Sequence, residues 1–279
     1  MFNKRHIVRT IAATVSILAL SFTAACGSGQ STASNSTDSD DITQQTYKPG
    51  KLTIATGQPA YEPWVMNDEA AVAYAVADKL GFKKSDVVWT RTAFDTAIAP
   101  GAKDWDFNIQ QFGITDERKK AVDFSSSYYN DSQSVVVKKD SKFANATKVS
   151  DLKDATVGVM VGTLAYDYAK ANIKDDIQTF NDDAALAQAL DAGQIDALVT
   201  STVECVYMVQ SEQVKDAKVL GRLPDSEDKS GMGIVLPKDS KLTAAVTKAV
   251  DDLNADGTIK KLQDKWLAEY TTDLTELKK

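Results

Sequence analysis

The side chains that most often perform covalent or acid–base catalysis are scarce in this chain. Its single histidine is His6, which lies in a segment that reads as a removable leader. A mature chain without histidine excludes Ser-His-Asp triads, Cys-His pairs and histidine-containing metal sites. Glu62, Glu69 and Glu204 could each serve as a general acid, but they form no obvious carboxylate pair. We therefore expect no catalytic site, no metal site and no cofactor.

Residues 1–25 have the three parts of a secretory signal. Three basic residues precede position 10, an apolar run spans 11–22, and small residues lead into Cys26. The run is too short to cross the ~30 Å hydrocarbon layer of a membrane. The segment before Cys26 resembles a bacterial lipobox, whose cysteine is lipidated, although Thr23 stands where an aliphatic residue is usual. We expect an extracytoplasmic protein that Cys26 anchors to the cell membrane; an ordinary signal peptide with an incidental cysteine is the alternative.

The charge of the chain argues against a nucleic-acid partner. Loss of residues 1–25 removes three basic and no acidic residues, so the formal charge changes from −7 to −10. Phosphate binding needs clustered Lys and Arg, which favours other partners for such a polyanion. With Cys26 lipidated, Cys205 has no cysteine to pair with, so the fold must depend on its apolar core. We expect a monomer.

Composition divides the mature chain into a tether and a folded body. After Cys26, residues up to 47 are mostly Gly, Ser, Thr, Gln, Asn and Asp, which bury too little apolar surface to offset the entropy of ordering. A flexible coil of about twenty residues spans roughly 25 Å, which suits a leash between a lipid and a domain. Residues 48–270 are long enough for two modest domains or one large one. Residues 271–279 are assigned to a C-terminal tail.

Strand-like and helix-like segments alternate through the body, which favours an α/β fold. Gly81 ends one helix, and Asp256-Gly257 separates the last two. The predicted strands are 52–55, 87–89, 107–109, 132–137, 156–161, 177–180 and 197–200, and the predicted helices are 69–80, 165–171, 183–192, one capped by Ser240 and one over 259–270.

Several motifs are weak alone but strong in their order and spacing. They are Leu-Thr-Ile-Ala-Thr-Gly from 52, Tyr-Glu-Pro-Trp from 61, Phe-Asp-Thr-Ala-Ile from 94, Trp-Asp-Phe-Asn-Ile-Gln-Gln-Phe-Gly-Ile-Thr-Asp-Glu-Arg from 105, Val-Asp-Phe-Ser from 122, Gly-Thr at 162, Ala-Gly-Gln-Ile-Asp-Ala from 192 and Gly-Ile-Val-Leu from 233. In this order they resemble the extracytoplasmic solute-binding proteins of polar amino-acid ABC importers, bacterial solute-binding protein family 3. The resemblance covers nearly all of the folded body.

The resemblance implies a two-lobed α/β clamp of the periplasmic-binding-protein type II fold, joined by two crossover hinge segments. The first lobe would comprise residues 48–130 and 230–270, and the second 131–229. The crossovers fall near 129–132 and 229–233, where Ser and Gly can absorb a change in φ and ψ. Gly231 and Gly233 fit such a hinge, or mark only the start of a strand. The clamp would close on a small solute and dock on a membrane permease, because a ligand that touches both lobes stabilises the closed state.

The resemblance also assigns the residues that hold an amino acid. A carboxylate is best bound by a bidentate guanidinium and by N–H donors at a helix N-terminus. Arg118 stands where the family's arginine grips that carboxylate, three residues after Thr115, a suitable helix N-cap. Read alone, Arg118 belongs to a run of charges that would be solvated. Gly162 and Thr163 precede a helix and should offer N–H groups, although Leu164 replaces a usual hydroxyl residue.

Other positions would surround the ligand. Gln111 and Gly113 match positions whose backbone groups contact the ligand's two polar ends. Tyr61, Trp64 and Phe94 match the aromatic wall of the family's site, although Trp64 could instead belong to the core.

Two departures from the family bear on the ligand. Ser201 stands where an ammonium-binding aspartate is usual, and a hydroxyl supplies no charge. Either Glu204 or another carboxylate takes over, or the ligand is not an ordinary α-amino acid. Gln58 stands where binders of basic amino acids often carry an acid, which disfavours a cationic side chain and favours a neutral polar ligand such as glutamine.

Two other functions compete with delivery to a permease. Some relatives of this fold are dehydratases or lytic transglycosylase-like enzymes, and a ligand-sensing domain is a third reading. The lack of histidine and of a carboxylate pair argues against an enzyme. No signalling domain follows Tyr270 in this sequence. The sequence therefore predicts a binding protein.

Overall fold

A computed structural model of the chain describes residues 41–57, 69–271 and 274–279. Within these residues, none of the helices has the length and apolarity that a membrane span requires. The strands are β1 (Leu52–Gly57), β2 (Val87–Thr92), β3 (Phe107–Asn108), β4 (Val122–Tyr129), β5 (Gln133–Lys138), β6 (Val157–Met160), β7 (Gln178–Phe180), β8 (Ala197–Ser201), β9 (Ala217–Arg222) and β10 (Met232–Pro237). The α-helices are α1 (Glu69–Lys79), α2 (Phe94–Ile98), α3 (Leu164–Asn172), α4 (Asp183–Asp191), α5 (Thr202–Gln210), α6 (Thr243–Ala255) and α7 (Thr258–Trp266).

The strands form two five-stranded mixed sheets that share one pattern. The first has the order β2-β1-β3-β10-β4, and the second has the order β7-β6-β8-β5-β9. In each sheet three parallel strands are followed by an antiparallel one that also pairs with the edge strand. Parallel strands need crossover connections, which the helices between them supply. The mixed α/β architecture with two sheets confirms the predicted fold class.

Both faces of each sheet are covered by apolar side chains. One face of the first sheet packs against α1, α6 and α7. Helix α1 contributes Val72 and Val76, and Leu80, directly after the helix, continues the same side at every fourth residue. The other face packs against Trp105 and Phe112. Two further clusters cover the faces of the second sheet. The fold therefore depends on four apolar layers, and Cys205 is buried as a free thiol in one of them.

The predicted strands and helices begin within one residue of the observed ones, with one exception. Helix α6 starts at Thr243 with Leu242 as its N-cap residue, so the prediction that Ser240 caps it is wrong. Ser240 Oγ instead accepts a hydrogen bond from Leu242 N (3.2 Å) in the turn before the helix. The turn places the hydroxyl too early in the chain to reach the helical N–H groups.

Five elements lack a counterpart among the predicted segments: β4, β9, β10, α2 and α5. Strand β4 contains three consecutive serines, and its buried positions do not alternate. Helix α5 carries three valines in nine residues and is buried on nearly all sides, so its apolar pattern has no helical period. A short apolar run of this kind cannot be assigned to helix or strand by periodicity alone.

Two chain segments between strands connect the sheets. Residues 130–132 link β4 to β5, and residues 223–231 link β9 to β10. The two segments bind each other, because Asp228 N donates to Asp131 O (2.9 Å) and Asn130 Nδ2 donates to Asp228 O (3.1 Å). Gly231 has φ +70°, and a Cβ there would lie 1.9 Å from Ser127 Oγ, so this position requires glycine.

The C-terminal residues 274–279 lie along the free edge of β9 in the second sheet. Arg222 N donates to Thr275 O (2.9 Å), and Leu277 N donates to Arg222 O (2.8 Å). The side chain of Leu277 is 4% exposed and packs into the core of the second sheet. Residues 274–279, part of the segment predicted to be a C-terminal tail, thus lie along the second sheet.

Candidate functional site

A cavity of about 90 Å³ lies between the two sheets. Its lining comes from the carboxyl ends of parallel strands, where ligands of open α/β sheets usually bind. A water position needs ~10–15 Å³ of such volume, so the cavity holds roughly six to nine waters or a solute of similar size. Seven predicted site residues contribute to the lining: Phe94, Gln111, Gly113, Arg118, Thr163, Ser201 and Glu204.

Arg118 borders the cavity and contacts both halves of the molecule. Nη1 donates to Gly113 O (2.7 Å) after the first sheet's β3, and Nη2 donates to Gly162 O (2.8 Å) after the second sheet's β6. Arg118 N donates to Thr115 Oγ1 (3.2 Å), which places the arginine at the start of a short 3₁₀ turn over 118–120. Burial lowers the pKa of Arg118, but Asp167 and Asp228 nearby favour its charged form. A guanidinium has five N–H donors, so three remain for a ligand.

Phe94 supports the guanidinium from one side. Its ring centroid lies 5.5 Å from Arg118 Cζ, within the range of a cation–π contact. Phe94 in turn stacks on Phe112, with the ring centroids 4.6 Å apart. Since Phe112 is fully buried, the stack fixes the position of Arg118 from the core outward.

The N-terminus of α3 lies close to Arg118, which donates to Gly162 O just before the helix. Thr163 is the N-cap residue, and its Oγ1 accepts a hydrogen bond from Tyr166 N (3.2 Å). The prediction that Gly162 and Thr163 precede a helix is confirmed, and Gly162 has φ +73°. Thr163 and Leu164 both border the cavity, so the first turn of a helix with its positive dipole end faces the solute space.

The main chain near Gln111 has an unusual conformation. Gln111 is a non-glycine residue with φ +49°, and its N–H donates to Tyr128 Oη (3.2 Å). Such strained backbone often occurs at ligand sites. Close by, a Cβ on Gly113 would lie 2.5 Å from Leu164 Cδ1 and 2.8 Å from Asp228 Oδ2. The side chains of Leu164 and Asp228 therefore approach the main chain closely at Gly113, and a larger residue there would have to displace them.

The hydroxyl of Ser201 is already engaged within the fold. Ser201 is the N-cap residue of α5, and its Oγ accepts a hydrogen bond from Glu204 N (3.3 Å). The same side chain binds the carboxylate of Asp131, which also accepts from Val203 N (3.3 Å). Ser201 thus borders the cavity but has little capacity left for an ammonium group.

Three carboxyl groups border the cavity near Ser201; Asp131 and Glu204 are buried, and Asp183 is partly buried. Burial raises the pKa of Asp131 to about 6, even though three N–H groups and one hydroxyl favour its charged form. Burial also raises the pKa of Asp183, against a hydrogen bond from Thr200 Oγ1 (3.4 Å). Burial raises the pKa of Glu204 well above its usual value, and the charges of Asp183 and Asp131 raise it further. Glu204 is 3% exposed, and its Oε1 has no hydrogen-bond partner among the described residues.

Asp131 and Asp183 were not predicted as site residues, and neither was Asp228, which also borders the cavity. Asp183 lies in an Asp-Asp pair before a helix, where acids are expected for capping alone. Asp131 lies in one predicted hinge, 129–132, and Asp228 lies one residue before the other, 229–233. Ser201 was the sequence signal for these acids, because it replaces the usual ammonium-binding aspartate and another carboxylate in the cleft would have to bind the ammonium group.

Several predictions fall outside the described residues. Gln58, Tyr61 and Trp64 belong to residues 58–68, and Cys26 belongs to residues 1–40. Among the described residues, no group of three or more His, Cys, Asp or Glu side chains has the arrangement of a metal site.

Comparisons with known proteins point to one protein family. The family described as bacterial extracellular solute-binding proteins, family 3, matches residues 58–269. The L-arginine-binding protein of Pseudomonas aeruginosa is 32% identical over 242 residues, which cover 79% of this chain and 88% of that protein. The L-cystine-binding protein TcyJ of Escherichia coli is 30% identical over 207 residues, which cover 73% of this chain and 75% of that protein.

A solved structure shows the same fold. An ancestral arginine-binding protein bound to arginine matches with a TM-score of 0.67 and 31% identity, over 78% of this chain and 98% of that chain. The predicted two-lobed fold of the periplasmic binding proteins is thereby confirmed. Because the family match covers most of the chain and these relatives are similar over most of their length, this chain belongs to the bacterial extracellular solute-binding proteins, family 3.

Proposed function

We propose that this protein, an amino-acid-binding member of the ABC importer receptors, captures a polar amino acid between its lobes and delivers it to a membrane permease. The observation that carries the proposal is the position of Arg118. Its guanidinium borders the cavity and donates to a carbonyl oxygen from each side of it. A charge-assisted pair formed at this position gains strength from low local dielectric.

The ligand's carboxylate would bind the remaining N–H donors of Arg118 and the first turn of α3. The ammonium group would bind a carboxylate close to Ser201, because the Ser201 hydroxyl is already used by Glu204 N and Asp131. Phe94, together with Tyr61 and Trp64, would form the apolar wall. Arg118 belongs to the first sheet's side and α3 to the second, so one carboxylate would contact both lobes. A ligand of this kind shifts the population toward the closed form.

The lobes are proposed to divide at the two segments between the sheets, near 129–132 and 229–233. The first lobe would hold 48–130 and 230–270, and the second 131–229, with the C-terminal segment beside the second. The direct binding between Asp228 and Asp131 offers a pivot at which both segments could turn together.

The location of the protein follows from its family and its leader. The family is extracellular. We propose that removal of residues 1–25 leaves Cys26 as a lipidated N-terminus and that residues 26–47 tether a monomeric receptor to the cell membrane. A short tether would keep the receptor concentrated near its permease.

Two observations bear on the side chain of the ligand. Gln58 favours a neutral polar ligand such as glutamine. The relatives named above are an L-arginine-binding and an L-cystine-binding protein. A panel that contains glutamine, arginine, lysine and cystine therefore covers the proposed range.

The proposal can be tested on the mature chain without its lipid, residues 26–279 carrying Cys26→Ser, which keeps the contacts of Ile42 and Tyr47 with the first sheet. Thermal melting should rise by several degrees with at least one amino acid of a full panel, since a ligand that binds only the folded state stabilises it. Mass spectrometry of the same mixtures should show every ligand unchanged. Turnover of an amino acid or a related acid would contradict a transport receptor and support an enzyme of this fold. No shift with any panel member would also count against the proposal.

A further inference from the structure

The carboxyl groups near Ser201 outnumber the cations that could neutralise them. Asp131 lies between β4 and β5, Asp183 begins α4, and Glu204 lies in the first turn of α5. Asp182 and Asp228 also border the cavity, and among the described residues that line it Arg118 is the one basic side chain. Five acids thus face one guanidinium.

The three acids differ in the hydrogen bonds that they receive from the protein. Asp131 accepts hydrogen bonds from Ser132 N (2.7 Å) and Val203 N (3.3 Å), so it is held as part of the α5 N-terminus. Asp183 accepts a long hydrogen bond from Thr200 Oγ1 (3.4 Å). Glu204 is almost completely buried, and its Oε1 has no partner among the described residues although it borders the cavity. An unpaired buried carboxylate is costly, so Glu204 is expected to meet its partner in the ligand.

The protein's own charges do not compensate Glu204. The charged groups that act on it are Asp183 and Asp131, and both carry the same sign as Glu204. Arg118 is not among the groups whose charge acts on Glu204, and two of its N–H groups are bound to Gly113 O and Gly162 O. One ammonium group of an α-amino acid would leave two of the three acids without a counter-charge.

We propose that Glu204 and Asp183, supported by Asp131, form a subsite for a second cationic group, so that the ligand is an amino acid with a cationic side chain. This inference rests on the proposed function and extends it to the class of side chain. The α-carboxylate binds Arg118, and the α-ammonium and the side-chain cation share the three acids. A cationic ligand contradicts the earlier preference for glutamine. That preference depended on Gln58 alone, which lies outside the described residues.

Cystine is a discriminating alternative. It carries a second ammonium group but also a second carboxylate, which would have to enter a space lined by acids. The subsite therefore predicts arginine, lysine or ornithine over cystine as well as over neutral amino acids.

The test compares ligands of the same shape and different charge. Citrulline has nearly the shape of arginine without the charge. Calorimetry on the mature Cys26→Ser chain, residues 26–279, at pH 7.5 should show arginine or lysine bound at least ~10-fold more tightly than citrulline, glutamine and cystine. A factor of ten is the size of one charge-assisted hydrogen bond. In Glu204→Gln the ratio of cationic to neutral affinity should fall at least ~10-fold. The matched control is Glu212→Gln, an exposed acid just after α5, which should leave the ratio unchanged.

The outcomes separate this inference from the function on which it rests. Tighter binding of citrulline, glutamine or cystine than of any basic amino acid would overturn the cationic subsite and leave an amino-acid receptor. An unchanged ratio in Glu204→Gln would overturn the assignment of Glu204, whatever ligand binds. Binding of no amino acid would contradict the proposed function itself.

Discussion

Raising the pH is expected to weaken the ligand-free fold, because the buried carboxyl groups of the cavity must then ionise. The pKa of Asp131 is about 6 in the fold against an ordinary 3.8, and burial also raises the pKa of Asp183 and Glu204. A carboxyl group with a raised folded pKa binds more protons in the folded than in the unfolded state. Its contribution to stability is therefore full below pH ~4 and is lost as the pH rises through the folded pKa.

The size of the effect follows from Asp131. A rise from 3.8 to about 6 corresponds to ~3 kcal/mol of unfolding free energy, or about 6–12 °C in Tm for a protein of this length. Exposed acids titrate in a different window. Hydrogen bonds lower the pKa of Asp86, Asp151 and Asp256, so the stability that these groups give is lost only as the pH falls below ~3.8.

Glu204→Gln isolates this effect, since it removes a charge and keeps the shape. Melting of the wild type by circular dichroism should show Tm falling between pH 4.5 and 7.5. The variant should melt several degrees higher than the wild type at pH 7.5 and show a shallower decline. Exposed Glu212→Gln serves as the control and should follow the wild type. A wild-type Tm that rises over this range, or a variant that melts like the wild type at pH 7.5, would refute the reasoning.

Three further changes test other parts of the structure. Gly113→Ala should weaken ligand binding at least ~10-fold by calorimetry, because the new Cβ would lie 2.5 Å from Leu164 Cδ1 and push the two sides of the cavity apart. Adding Leu164→Ala should restore part of the affinity, and a double variant that binds no better would contradict this cause. Leu277→Ala should lower the unfolding free energy by ~2–4 kcal/mol, because the side chain is buried against the second sheet, and an unchanged urea midpoint would show that residues 274–279 do not stabilise it. Cys26→Ser should release the protein from the membrane fraction of its host without changing its Tm, whereas continued sedimentation with membranes would count against the lipid anchor.

Local sequence patterns were sufficient to predict most of the strands and helices. Strands such as β1 and β6 are short apolar runs with glycine or turn residues beside them, and α4 combines an Asp cap with a stripe of Leu186 and Leu190. Each of these signals lies within about ten residues. Helix α5 was missed because it is buried nearly all round, which removes the polar face on which a periodic pattern depends.

The site was predictable only where a local motif carried it. Arg118 was found because it follows Thr115 in a motif that the family shares, and Gly162 and Thr163 were found because they precede a helix. Asp131 lies 52 residues before Asp183, and Asp183 lies 21 residues before Glu204, so no local spacing in the sequence could show that these three acids meet. Burial, which decides their electrostatic cost, is a property of the folded chain.

The central claim is that Arg118 binds the ligand's carboxylate, and calorimetry of Arg118→Ala tests it most directly. With the tightest amino acid of the panel, the account predicts a loss of more than ~2 kcal/mol in binding free energy, because a charge-assisted pair is removed from a partly buried cleft. Lys119→Ala, the exposed neighbour in the same run of charges, should bind like the wild type. Affinity for that amino acid within a factor of two of wild type in a folded Arg118→Ala protein would contradict the account.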